Sequence, residues 1–146
     1  MTLAWKRTGV AAFVLALAES ALAEEQLICV GDKATGFKWT GRSWAEASFH
    51  VSKDKFLVQE IAPIEMLGAT YTFKVQKFGE KVPTIHCTRH GEPKNWRLIC
   101  GGLGYGMMID SKSMRFQEVY GLGYIDGEDA PGNTPSLTIG TCVRLK

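Results

Sequence analysis

Apolar and polar residues alternate with a period of two along most of this chain, the signature of half-buried β-strands. Tyr71, Phe73 and Val75 alternate with Thr70, Thr72, Lys74 and Gln76. Trp96, Leu98 and Cys100 alternate with Arg97 and Ile99, and Leu137 and Ile139 with Thr138 and Gly140. Phe37 and Trp39 alternate with Lys38 and Thr40, and Met114, Phe116 and Tyr120 share a parity with Glu118 among them. Turn residues separate the runs at Thr40-Gly41-Arg42, Ser52-Lys53-Asp54, Phe78-Gly79-Glu80, Asp110-Ser111-Lys112 and Asp126-Gly127-Glu128. Short strands at this spacing predict an all-β fold: a small antiparallel β-barrel or sandwich of eight or nine strands.

Ser43 to Val51 reads two ways. Ser43-Trp44-Ala45-Glu46 fits a helix capping box, and Trp44, Ala47, Ser48 and Val51 lie at helical spacing. The same stretch follows a glycine-containing turn, as the second arm of a hairpin would. We read it as strand and keep the helix open. A faint echo links Gly36-Phe37-Lys38-Trp39, followed by Trp44 and Phe49, to Gly106-Met107-Met108-Ile109, followed by Phe116 and Tyr120. Hairpins share this texture, so it does not establish a duplication.

The first 23 residues break the pattern. Lys6 and Arg7 form a basic start, Gly9 to Ala18 is uncharged and apolar, and Ala21-Leu22-Ala23 is a small-residue cleavage motif. This order predicts a secretory signal peptide over 1–23 and one mature β domain over 24–146. The apolar run is about half the roughly 20 residues that span a bilayer, and no later segment approaches that length. No transmembrane segment is therefore expected in the mature chain.

Four cysteines in an exported chain predict two disulfides. Three pairings are possible, and turn chemistry selects one. A tight turn centred on Pro93 and Lys94 sets Glu92 opposite Asn95, and the same register sets Cys87 opposite Cys100. Cys29 and Cys142 then tie the start of the domain to its end.

Charge narrows the partners. The formal net charge is +2, and losing Lys6, Arg7 and Glu19 with the leader makes it +1. A near-neutral domain does not capture nucleic acid by electrostatics, so no nucleic-acid partner is expected. Chemistry is sparse. His86 and His90 suit a metal only on a helix; on a strand, four residues span about 13 Å. Asp126-Gly127-Glu128-Asp129 with Gly132-Asn133 is rich in oxygen ligands but lacks EF-hand spacing and reads as a solvated loop. Gly101-Gly102-x-Gly104-x-Gly106 leads into a strand-like run rather than a helix, which fits close strand approach better than a phosphate cradle. There is no G-x-S-x-G elbow; carboxylate pairs such as Glu60 with Glu65 stay open as acid–base groups, because glycosidase carboxylates carry no motif. We expect no catalytic residues, metal or cofactor.

Several motifs carry a resemblance. Cys29-x-x-Asp32-x-x-x-Gly36-Phe37, Cys100-Gly101-Gly102-x-Gly104, Met114-x-Phe116-x-x-x-Tyr120-x-x-Gly123-Tyr124 and Thr134-Pro135-Ser136-Leu137-x-Ile139-Gly140-x-Cys142 resemble those of a group of small exported bacterial proteins without an assigned activity. The resemblance implies a periplasmic or secreted location. Size and barrel pattern are also similar to periplasmic lysozyme inhibitors, though their Ser/Arg loop motif is not recognisable, so this is analogy only.

The aromatic residues Trp39, Trp44, Trp96, Tyr105, Tyr120 and Tyr124 are divided by the sequence between core and surface. Glycines flank Tyr105, Tyr120 and Tyr124, and the expectation is that these three edge one ligand-binding surface. The alternative is that their rings cover strand glycines within the sheet. The function expected is a non-catalytic exported binding protein with an envelope protein or glycan as partner, in one form an inhibitor of a cell-wall hydrolase. The rivals are a small envelope hydrolase and a structural envelope protein.

Overall fold

Among the described residues, nine antiparallel strands form a single sheet that closes on itself. The computed structural model describes residues 24–81, 85–102 and 104–145; the leader assigned to 1–23 lies outside them. The strands are β1 (Gln26–Trp39), β2 (Trp44–Phe49), β3 (Lys55–Met66), β4 (Ala69–Lys77), β5 (Ile85–Glu92), β6 (Asn95–Gly102), β7 (Tyr105–Asp110), β8 (Arg115–Tyr120) and β9 (Ser136–Arg144). The order is β2-β1-β3-β4-β5-β6-β7-β8-β9, and β1 also pairs with β9, which closes the ring. The expected all-β class is thus realised as a barrel. Residues 44–49 are strand, paired with β1 from Trp39↔Trp44 to Ala34↔Phe49.

β1 is the long stave that makes closure possible. Along one edge it pairs with β9 from Leu27 to Gly36; along the other it pairs first with β3 and then with β2. The register with β9 shifts between Gly31 and Lys33. Such a bulge bends a strand and reverses which residues face inward beyond it. Leu27 and Cys29 point into the barrel before the bulge and Ala34 after it, so Phe37 faces out and is 48% exposed. β9 shows a related result: Thr138 is buried while Leu137 and Ile139 lie on the outer surface. The period of two is legible at both strands, but Phe37 of β1 and Leu137 and Ile139 of β9 lie on the outer face.

Both predicted disulfides are present, Cys29–Cys142 and Cys87–Cys100, each between residues directly opposite across neighbouring strands. All four cysteines are buried. The turn at Pro93-Lys94 has the expected register, with Glu92 opposite Asn95.

The core lies toward one end of the barrel. Phe73 packs on Trp96 at 5.9 Å between ring centroids, and Phe56 on Phe116 at 5.8 Å. Leu27, Val58, Leu98 and Ile109 fill the space between them. The Ser111 hydroxyl accepts from the Trp96 backbone N–H at 2.8 Å. Outside this layer the Arg89 guanidinium lies over the Trp96 ring at 5.4 Å and 3.9 Å from Glu60. Glu60 in turn accepts from the Glu25 N–H, and Arg144 donates to the Glu25 carboxylate at 3.0 Å. This end of the barrel is therefore floored by aromatic rings and sealed by ion pairs.

Candidate functional site

The opposite end is open and polar. β8 carries Phe116 into the core, and its next two inward positions are Glu118 and Tyr120. β4 carries Phe73 and Val75 into the core and ends inward on Lys77. Lys77, Glu118 and Tyr120, with Asp54, Tyr105, Ser136 and Thr138, line a cavity of about 490 Å³ at the barrel mouth. A barrel of about eight strands is wide enough either to be filled by side chains or to leave a cavity; here the floor is filled and the mouth is left open.

The centre of the mouth is a hydrogen-bonded pair. The Tyr105 hydroxyl donates to Glu118 Oε1 at 3.0 Å, and Thr138 lines the same cavity. Burial pushes the Glu118 carboxyl above its ordinary value; Tyr105, the Lys77 charge and Thr138 pull it back in part, while the Asp54 charge pushes it further up. Burial, then the Glu118 charge, push the Tyr105 phenol far up, so it stays a neutral donor. Lys77 Nζ reaches Asp54 Oδ1 at 3.2 Å. The Tyr105 and Tyr120 rings meet edge to face at 6.1 Å.

Tyr124 is placed elsewhere. A one-turn helix, α1 (Leu122–Ile125), follows Tyr120. Sequence reading found no helix there, since one turn is too short to show periodicity. Gly123 on that turn packs against Asn133; a Cβ would fall 2.3 Å from Asn133 Cγ. The turn carries Tyr124 to the outside of the barrel, where it is 55% exposed and meets Trp44 edge to face at 5.4 Å. Trp44 stacks at 5.5 Å on Trp39, its hairpin partner, and its indole N–H donates to Asp129 Oδ1 at 3.0 Å. With Phe37 and Pro135 these rings form an outer aromatic shelf. An adjoining groove of about 500 Å³ runs over Val119, Leu137 and Ile125 and reaches Tyr120. The structure thus joins Tyr105 to Tyr120 inside the mouth and joins Tyr120 to Tyr124 only along the outer groove.

The glycine run before Tyr105 permits close approach of β6 and β7. Gly101 has φ of +80°, and a Cβ there would fall 2.4 Å from the Tyr105 carbonyl oxygen. The other candidate groups have local partners. His86 stacks on Tyr71, and His90 Nε2 lies 2.8 Å from the Thr88 hydroxyl. Glu128 accepts from the Asn133 amide, and Glu65 accepts from the Thr70 hydroxyl. Among the described residues no three His, Cys, Asp or Glu side chains are grouped to hold a metal ion. No helix among them is long and apolar enough to cross a membrane.

Asp54, Lys77, Glu118 and Thr138 were not singled out as site residues in the sequence. Two left a signal: Glu118 shares a parity with Phe116 and Tyr120, and Lys77 continues that of Tyr71, Phe73 and Val75. A charge on the inward face of a strand marks either a barrel end or a buried site. No family model matches the chain, and comparison with curated proteins and with solved structures gives no match.

Proposed function

We propose that this is a non-catalytic, exported binding protein of the bacterial envelope that holds a protein or glycan on its outer aromatic shelf. The observation that carries this reading is the aromatic ladder Trp39–Trp44–Tyr124, set beside exposed Phe37 and braced by Asp129. Aromatic rings held rigidly at a surface supply large contact area at little entropy cost, and sugars and apolar side chains both pack on them. The leader-like sequence over 1–23 and the two disulfides support a periplasmic or secreted location. The carboxylates of Glu118 and Asp54 are engaged by Tyr105 and Lys77, which favours binding over acid–base work there.

In its specific form the partner is a cell-wall hydrolase, which the protein inhibits. Two assays test the reading: clearing of a cell-wall suspension by lysozyme-type hydrolases, and co-sedimentation with peptidoglycan. Slowed clearing, or retention on the glycan, that is lost in a Phe37→Ala/Tyr124→Ala variant of unchanged melting temperature is the expected result. A protein that neither slows clearing nor sediments would overturn it.

A further inference from the structure

The mouth is a second site, separate from the shelf, and its chemistry selects a class of ligand. Among the described residues, its wall carries the carboxylates of Asp54 and Glu118 and the ammonium group of Lys77. Lys77 lies on Asp54 at 3.2 Å. Two carboxylates to one ammonium leave these side chains with a negative excess, and a concave site with low-dielectric walls focuses such a field. The rings of Phe49, Tyr105 and Tyr120 also line it, and aromatic faces attract cations within about 6 Å. About 490 Å³ suits a small organic molecule. The absence of three grouped metal-ligating side chains among the described residues disfavours a bare metal ion.

From this combination we infer that the barrel mouth binds a small organic cation of the alkylammonium class, its charged head held against Glu118 and its body against the Tyr105–Tyr120 pair. Glu118 is the anchor. It is half-buried, and the hydroxyl of Tyr105 donates to its carboxylate at 3.0 Å. One hydroxyl donor leaves a carboxylate with acceptor capacity to spare. An anion would meet the same field as repulsion.

Titration of the purified protein with choline and with putrescine, followed by calorimetry and amide chemical shifts, tests this inference, with succinate as the anionic control. Saturable binding of at least one cation, with shifts centred on Tyr105 and Glu118 and none from succinate, is the expected result. Glu118→Gln keeps an acceptor for Tyr105 and should weaken binding roughly tenfold, the loss of one charge-assisted contact. Asp54→Asn is the second variant, expected to act in the same direction, while Tyr124→Ala on the shelf should leave cation binding unchanged. The inference is overturned if succinate binds as well as the cations, if neither cation saturates, or if the folded Glu118→Gln protein binds as tightly as the parent. None of these results depends on what the shelf holds.

Discussion

The floor and the mouth of this barrel are built from the same strands and have opposite chemistry. β4 supplies Phe73 to the floor and Lys77 to the mouth; β8 supplies Phe116 and then Glu118; β9 supplies Cys142 and then Thr138. At the floor, charged groups stay outside the apolar layer and seal it: Arg89 lies over Trp96 and pairs with Glu60. At the mouth they are inside, and burial works against Glu118. The comparison separates two tasks. The floor supplies stability through close packing and a disulfide, whereas the mouth tolerates a half-buried carboxylate, the feature on which the proposed cation site rests.

The largest expected effect is at the floor. Trp96→Ala removes the ring that touches Phe73 and supports Arg89, and should cost about 3–5 kcal/mol in denaturant unfolding. If Tyr105→Ala at the mouth costs as much, the division into a stabilising and a binding end is wrong. The disulfides sharpen the contrast. Cys29–Cys142 closes 113 residues and Cys87–Cys100 closes 13. Removing either pair as a double alanine variant should cost ~2–5 kcal/mol, and chain entropy makes the long closure worth about 2 kcal/mol more. Equal losses would show that the entropy of the unfolded chain does not set their ranking.

The mouth should reveal itself through pH. Glu118 has a folded pKa above its ordinary 4.5, so between the two values the folded state binds more protons than the unfolded one. Its contribution to stability is therefore most favourable below 4.5 and declines as pH rises through the raised folded value. Asp110 acts in the opposite sense. The Ser113 N–H and hydroxyl hold its carboxyl low, so its contribution is lost as pH falls. Melting curves of the parent minus those of Glu118→Gln isolate the first effect, and the difference should move against the parent as pH rises from 4 to 7. Each tenfold weakening of the carboxyl's acidity on folding is worth about 1.4 kcal/mol. A difference that is flat or of opposite slope would remove Glu118 from the buried mouth. The smallest effect concerns the hairpin beyond the floor, where Leu67 has φ of 52° in a two-residue turn with Gly68 and is almost fully exposed. Leu67→Asn suits that left-handed conformation and should stabilise by about 1 kcal/mol without altering the mouth. A loss of stability there would mean that Leu67 makes contacts that offset its backbone strain.

Much of the barrel was legible in the sequence because strand periodicity and turn chemistry act over a few residues. Alternation around Phe73, Leu98 and Phe116 identified strands and their buried faces. Pro93 at a turn centre set the register that pairs Cys87 with Cys100, and with it the second bridge. The candidate site was legible only in part. Tyr105 and Tyr120 do meet, yet Tyr124 does not join them at the mouth, because the single helical turn after Tyr120 redirects the chain. Glu118 and Lys77 stood on inward parities, but parity alone does not separate a charge at a barrel end from one at a strand's solvated end.

The sequence by itself determined the strand class, the turns and the disulfide pairing, since each follows from neighbours along the chain or from one hairpin register. Only the tertiary structure decided which face of β1 and β9 points inward, which end of the barrel stays open, and which aromatic rings share a surface. The reason is closure. A bulge near Asp32 reverses the facing of everything beyond it, so Cys29 lies in the core and Phe37, eight positions on, lies on the shelf. One inserted residue leaves the local alternation intact on both sides, and its consequence appears only when β1 meets β9.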